Sequence, residues 1–265
     1  MVIRNGLSPF VVGDVDARRV ARQRPGTRVC YFVSSLRAIL DTAPNFLHTH
    51  ARKEADGAYT FMLYRKRHDG VHLDLPIDPV EVRVHPNELP SFGHSTQPKE
   101  LWFALYEAAF TKVVGGTDAA AGGLATIAFE VLLGSKSRHI FFTDRANRSD
   151  GEFAKELRAE LVAGNVLVAS SRGQYEMPKD AHGVIAHHDY SVWDAGVDSK
   201  GPYVEVGNPH GHGEPMTGLS VFRRAKDGVN DGDFRLPMSE FRRLFHAVSV
   251  GALADAQPGF MAEAP

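Results

Sequence analysis

At Gly164 the chain changes its hydrophobic period, and that change limits the available folds more than any other feature. Before it, apolar residues recur at helical spacing. In "CYFVSSLRAILDTAP", Phe32, Leu36 and Ile39 or Leu40 share one face, from Cys30 to the stop at Pro44. "ELWFALYEAAFTKVVGG" sets Leu101, Leu105, Ala108 and Ala109 on one side and stops at Gly115–Gly116. "AAAGGLATIAFEVLLG" reads as helix from about Leu124 to near Gly134. "SDGEFAKELRAELVAGN" has a cap at Ser149 or Asp150, one face of Phe153, Leu157 and Leu161, and an end at Gly164.

From Asn165 onward the pattern is almost entirely that of strands: "NVLVASS", "GVIAHHDYSVWDA", "PYVEVGN" and "FHAVSVGAL". A period of two also occurs earlier, in "YTFMLYRK", "VHLDLPID" and the short "HIFFT". Val71, Leu73, Leu75 and Ile77 share a face, and Arg67 to Gly70 is the predicted hairpin turn. The fold class is α+β, with a helix-rich half over 1–164 and an antiparallel β half over 165–265. No repeat or low-complexity linker separates them, so the halves are expected to pack closely.

Composition narrows the function. The 265 residues carry 30 basic and 32 acidic side chains, a net charge of -2, without a dense Lys/Arg tract. That balance argues against a general nucleic-acid-binding role. No apolar run reaches 18 residues, so no membrane span is expected. The first residues lack the apolar core of a signal peptide, and the lone Cys30 excludes an internal disulfide. Both point to a reducing, cytoplasmic setting. Oligomeric state is not legible.

Three residues stand out as chemistry. Cys30 begins a helix, where unpaired N–H groups and the positive dipole end favour the thiolate. A lone cysteine is also a common core residue. In "AHHDYSV", alternation sets His187 and Asp189 on one face and His188 and Tyr190 on the other. That makes His188 the candidate base and His187 a bystander at a strand end. Asn208 ends "YVEV" before Pro209, as a simple turn residue or as the amide that orients the imidazole.

In order, these segments resemble the protease core of the calpain family. The family's "GDCWFLAAL" matches "RVCYFVSSL" at Arg28 to Leu36, "GHAYSV" matches "HHDYSV" at His187 to Val192, and "NPWG" matches "NPHG" at Asn208 to Gly211. "ELWFALYEAAFTKVVGG", "AELVAGNVLVASS" and "GDFRLPMSEFRRLFHAVSV" are similar to further family segments, from about Gln23 to Val250. The resemblance implies a papain-like two-part fold and a thiol endopeptidase acting on protein or peptide substrates. It makes Cys30 the nucleophile, His188 the base, Asn208 its orienter and Gln23 an oxyanion donor. It allows calcium, although no acidic loops for it can be traced, and requires no other cofactor.

Three departures stand beside it. Arg28–Val29 replaces the family's Gly-Asp, Gln23 lies seven residues before the cysteine where the family has six, and His210 replaces the Trp of "NPWG". They motivate a second reading, a protease fold that has lost turnover and keeps its cleft for peptides. A third is a metal site drawn from His182, His187, His188, His210, His212 and Asp189. No HExxH or CxxC spacing supports it.

Overall fold

The computed structural model describes residues 21–24, 26–66, 76–89, 93–95, 101–178, 181, 183–213, 216–217, 224–225, 229–256 and 259–260. Strand β1 (Ala21–Gln23) leads to helix α1 (Cys30–Thr42), which buries ten successive residues, Tyr31 to Leu40. A helix covered on every side is a central pillar, and α1 serves as one. It is followed by a one-turn helix α2 (Phe46–Thr49) and strand β2 (Ala51–Lys53).

Strands β3 (Tyr59–Lys66) and β4 (Ile77–Val84) complete a three-stranded antiparallel sheet of order β2-β3-β4. The predicted turn at 67–70 and Val71, Leu73 and Leu75 lie outside the described residues. The partner of β3 is "IDPVEVRV", paired from Lys66↔Ile77 to Tyr59↔Val84. Pro79 is tolerated there because β4 is an edge. Strand β5 (Gly93–Ser95) pairs with β1.

Helices α3 (Trp102–Val114), α4 (Thr117–Ala120) and α5 (Ala125–Leu133) pack beside α1 and β3 to close a first hydrophobic core. Helices α3 and α5 end at Gly115 and Gly134 in the left-handed region, as their glycine punctuation predicts. Phe32 lies between Phe103 and Phe110 with no exposed surface, and truncating it to Ala would cost about 3–5 kcal/mol.

The second core surrounds a six-stranded antiparallel sheet of order β12-β9-β8-β7-β13-β6. Its strands are β6 (Ser137–Phe141), β7 (Val166–Ser171), β8 (Asp189–Asp198), β9 (Gly201–Gly207), β12 (Asp233–Pro237) and β13 (Phe245–Gly251). Between β9 and β12, β10 (Met216–Thr217) pairs with β11 (Arg224–Ala225). Helix α6 (Asp150–Val162) starts with a capping box, in which Ser149 Oγ accepts from Glu152 N and the Glu152 carboxylate accepts from Ser149 N. It packs on β8 and β9, and α7 (Met238–Leu244) fills the corner before β13.

Strand β7 joins the two cores by its pleat. Val166 and Val168 face the first and Leu167 and Ala169 the second. Helix α1 therefore lies against one sheet face, on β7 and β8, and α6 against the other. Two buried serines fix α1 on β8: Ser34 Oγ donates to Asp189 O and Ser191 Oγ donates to Ser34 O, each at 2.9 Å. These bonds set the start of α1 beside the head of β8.

Candidate active site

The β8–β9 pairing brings the histidine and asparagine segments together. Ser191 pairs with Gly207, so the same register carried past the strand ends sets His188 opposite His210. Their rings stack at 4.8 Å between centroids, 3° from parallel. His188 Nε2–H donates to Asn208 Oδ1 at 3.0 Å. Both residues are buried, Asn208 completely.

The remaining bonds of the amide fix its orientation. Asn208 Nδ2 donates to His212 O at 2.8 Å, and Oδ1 also accepts from His210 N at 3.0 Å. With Oδ1 turned to the ring, Nε2 carries the proton and Nδ1 is left as the acceptor. His210 thus covers the imidazole–amide pair where the resembling family has Trp, with a flat ring of smaller area.

Alternation fails at the head of β8. His187 has φ 52°, the one non-glycine residue with positive φ among those described. That twist leaves His187 exposed and turns His188, Asp189 and Tyr190 all inward. His187 is a bystander by exposure, and Asp189 is not its companion. Asp189 instead lies by Cys30, and its backbone N–H interacts with the thiol.

The electrostatics are dominated by burial. Desolvation pushes the Cys30 thiol up to about 11, the Asp189 carboxylate adds to the rise, and the N–H groups of Asp189, Tyr31 and Cys30 oppose it. The helix start therefore does not yield the thiolate that its dipole predicts, because the buried carboxylate and lost hydration exceed the N–H donors. Burial also holds His188 down to about 4, against the Asn208 bond that raises it and with His210 lowering it further. Asp189 itself is lifted by burial to about 6, opposed by a bond from Ser170. Sequence reading set Asp189 with His187 and among possible metal ligands rather than by the thiol; the available signal was an acid where the family pattern has Ala.

Gln23 reaches the same region. Its backbone N–H donates to Pro209 O at 2.9 Å, which ties β1 to the Asn208 turn. Its side chain is buried, with Nε2 donating to Thr27 O and Oε1 without a partner among the described residues. Among the other proposed ligand residues, His182 lies outside the described residues, while His210 and His212 stack at 5.8 Å. Among the described residues no group of three or more His, Cys, Asp or Glu side chains converges on a cation position.

A half-buried thiol, an oriented imidazole acceptor and its amide partner are the functional groups of thiol-dependent acyl transfer, on a mixed helix-and-sheet frame. The family model for calpain family cysteine proteases matches residues 7–251, and the chain belongs to that family. No individual curated protein matches it. Among the described residues no helix is long and apolar enough to cross a membrane.

Proposed function

We propose that the protein is a thiol endopeptidase whose cleft lies between its helix-rich half and its β half. The Cys30 sulfur attacks a peptide carbonyl carbon while His188 Nδ1 takes the thiol proton. The Nδ1 proton then passes to the leaving amine as the C–N bond breaks. Water, giving its proton to the same nitrogen, releases the acyl group and the thiol is restored. Asn208 orients the ring. The backbone N–H of Cys30 receives the oxyanion, joined by Gln23 when its Nε2 leaves Thr27 O. One such donor contributes about 3 kcal/mol.

The observation that carries this reading is the buried His188–Asn208 bond at 3.0 Å, with the tautomer it selects. A thiol raised to about 11 and an imidazole lowered to about 4 leave the proton on sulfur. His188 therefore acts as a general base during attack, without a standing ion pair. Cleavage of an unfolded protein substrate by the wild type, abolished in Cys30→Ala, is the expected result. Equal cleavage by both proteins would overturn the assignment.

The neutral pair and the engaged Gln23 amide favour one second reading, a peptide-binding module without turnover. Saturable peptide binding with no cleavage by the wild type would select it.

A further inference from the structure

We propose that Arg28 makes the site select substrates with Asp or Glu as the residue whose carbonyl is attacked, an inference that rests on the peptidase reading above. Arg28 stands two residues before Cys30, where the resembling family has Gly. Its guanidinium lies flat on Gly122: Nη2, Cζ and Nε come within 2.9, 3.3 and 3.4 Å of where a Cβ would stand. Gly122 has φ +86°, a backbone conformation that favours glycine there.

The contact is held by the main chain. Gly122 N–H donates to Arg28 O at 2.7 Å. On the other side of Cys30, the Tyr31 ring covers Gly123 and its hydroxyl donates to Ala120 O at 3.0 Å. Loop 120–123 thus contacts the chain on both sides of the nucleophile, at Arg28 and Tyr31. The guanidinium lies against this loop, on a backbone anchored two residues before Cys30.

Arg28 is exposed, and its guanidinium has no hydrogen bond or ion pair among the described residues. Most arginines around the second core are answered by carboxylates, Arg145 by Glu156 and Arg235 by Asp198 among them. A positioned, unanswered guanidinium offers a planar fork of donors that matches a carboxylate in two parallel bonds. Attack by sulfur brings the carbonyl carbon to bonding distance, so that residue's side chain must emerge among the neighbours of Cys30. A short acidic side chain reaches the Arg28 fork, whereas a basic one meets like charge.

The test uses the full chain and one quenched peptide sequence with Glu, Gln, Ala or Lys at the attacked position. Glu over Gln by about tenfold in kcat/KM is expected, shrinking in high salt. The preference is expected to vanish in Arg28→Gln and to turn toward Lys in Arg28→Glu. No acidic preference, or one that Arg28→Glu leaves intact, overturns the proposal. If the wild type cleaves none of the peptides, the peptidase reading fails on its own account. The same peptides are then titrated against Cys30→Ala: tighter binding of Glu than Gln, lost with Arg28→Gln, supports the role of Arg28. Equal affinities or no binding overturns it.

Discussion

Arg37 Nη1 donates to the backbone carbonyl of Asn208 at 2.8 Å, from a position two helical turns beyond Cys30 on α1. The helix that presents the thiol is therefore pinned to the residue that orients the imidazole. The guanidinium is 1% exposed, pairs with Asp233 at 3.4 Å and lies over the Trp193 ring, whose Nε1 donates to the same Asp233 oxygen at 3.0 Å. Gly207 makes the arrangement possible, because a Cβ there would meet Trp193 and Asp233 at 2.4–2.6 Å.

Arg37→Met keeps the length of the side chain and removes its charge and donors. It leaves Asp233 and the Asn208 carbonyl short of a partner in a nearly dry site. Asp233 keeps some water contact, so a loss of about 2–3 kcal/mol is expected in denaturant unfolding. Arg37→Lys, which keeps the charge, should lose about 1 kcal/mol. A variant as stable as wild type would mean that the bond does not hold the two segments together.

Much of this arrangement was legible in the sequence. Helix ends came from Gly115, Gly134 and Ser149, whose capping chemistry is local. His188 and Asn208 came from motif order, and the hairpin register explains why they meet. What failed was long-range or environmental. Alternation cannot foresee the positive φ of His187, which turns Asp189 inward. Nor does a helix start reveal that a thiol will be desolvated beside a carboxylate. Arg37 was visible as a charge amid Leu36, Ala38 and Ile39, but its partners are 171 and 196 residues away in sequence.

Cys30 alkylation reports the thiol environment directly, since no other cysteine exists. With the thiol raised to about 11, iodoacetamide should react slowly at pH 7 and rise steeply above pH 9. Asp189→Asn removes the negative charge that opposes the thiolate and leaves the backbone N–H in place. Its reaction should speed up several-fold at pH 8, with the pH profile moved downward. An unchanged profile would show that the carboxylate is not felt by sulfur.

Asn208→Ala removes the acceptor for His188 Nε2–H and both side-chain bonds across the 208–212 turn, leaving its Gly211 N–H to Asn208 O bond. The ring then loses its preferred tautomer, and kcat should fall about 100-fold with KM changed far less. Steady-state kinetics on a peptide substrate measure both. A rise in KM alone would place Asn208 in substrate contact and remove it as an orienter.

His188 and Asp189 act on acid stability with opposite signs. The imidazole, about 4 when folded and 6.5 as a free group, leaves the unfolded chain holding the extra proton between those values. Its contribution to stability is therefore lost as pH falls from 6.5 to 4. The Asp189 carboxyl, raised from 3.8 to about 6, holds its extra proton in the folded chain, so its contribution is lost as pH rises through 6. Each contributes up to about 1.4 kcal/mol per pH unit inside its window, and the two largely cancel between pH 4 and 6. Removing one should expose the other. Unfolding free energies measured from pH 4 to 7 and compared with wild type should show Asp189→Asn losing stability on acidification by on the order of 2 kcal/mol. His188→Asn should gain stability over the same range. Parallel curves for all three proteins would mean that neither group changes its proton affinity on folding, and the buried, neutral site inferred for Cys30 and His188 would fall with it.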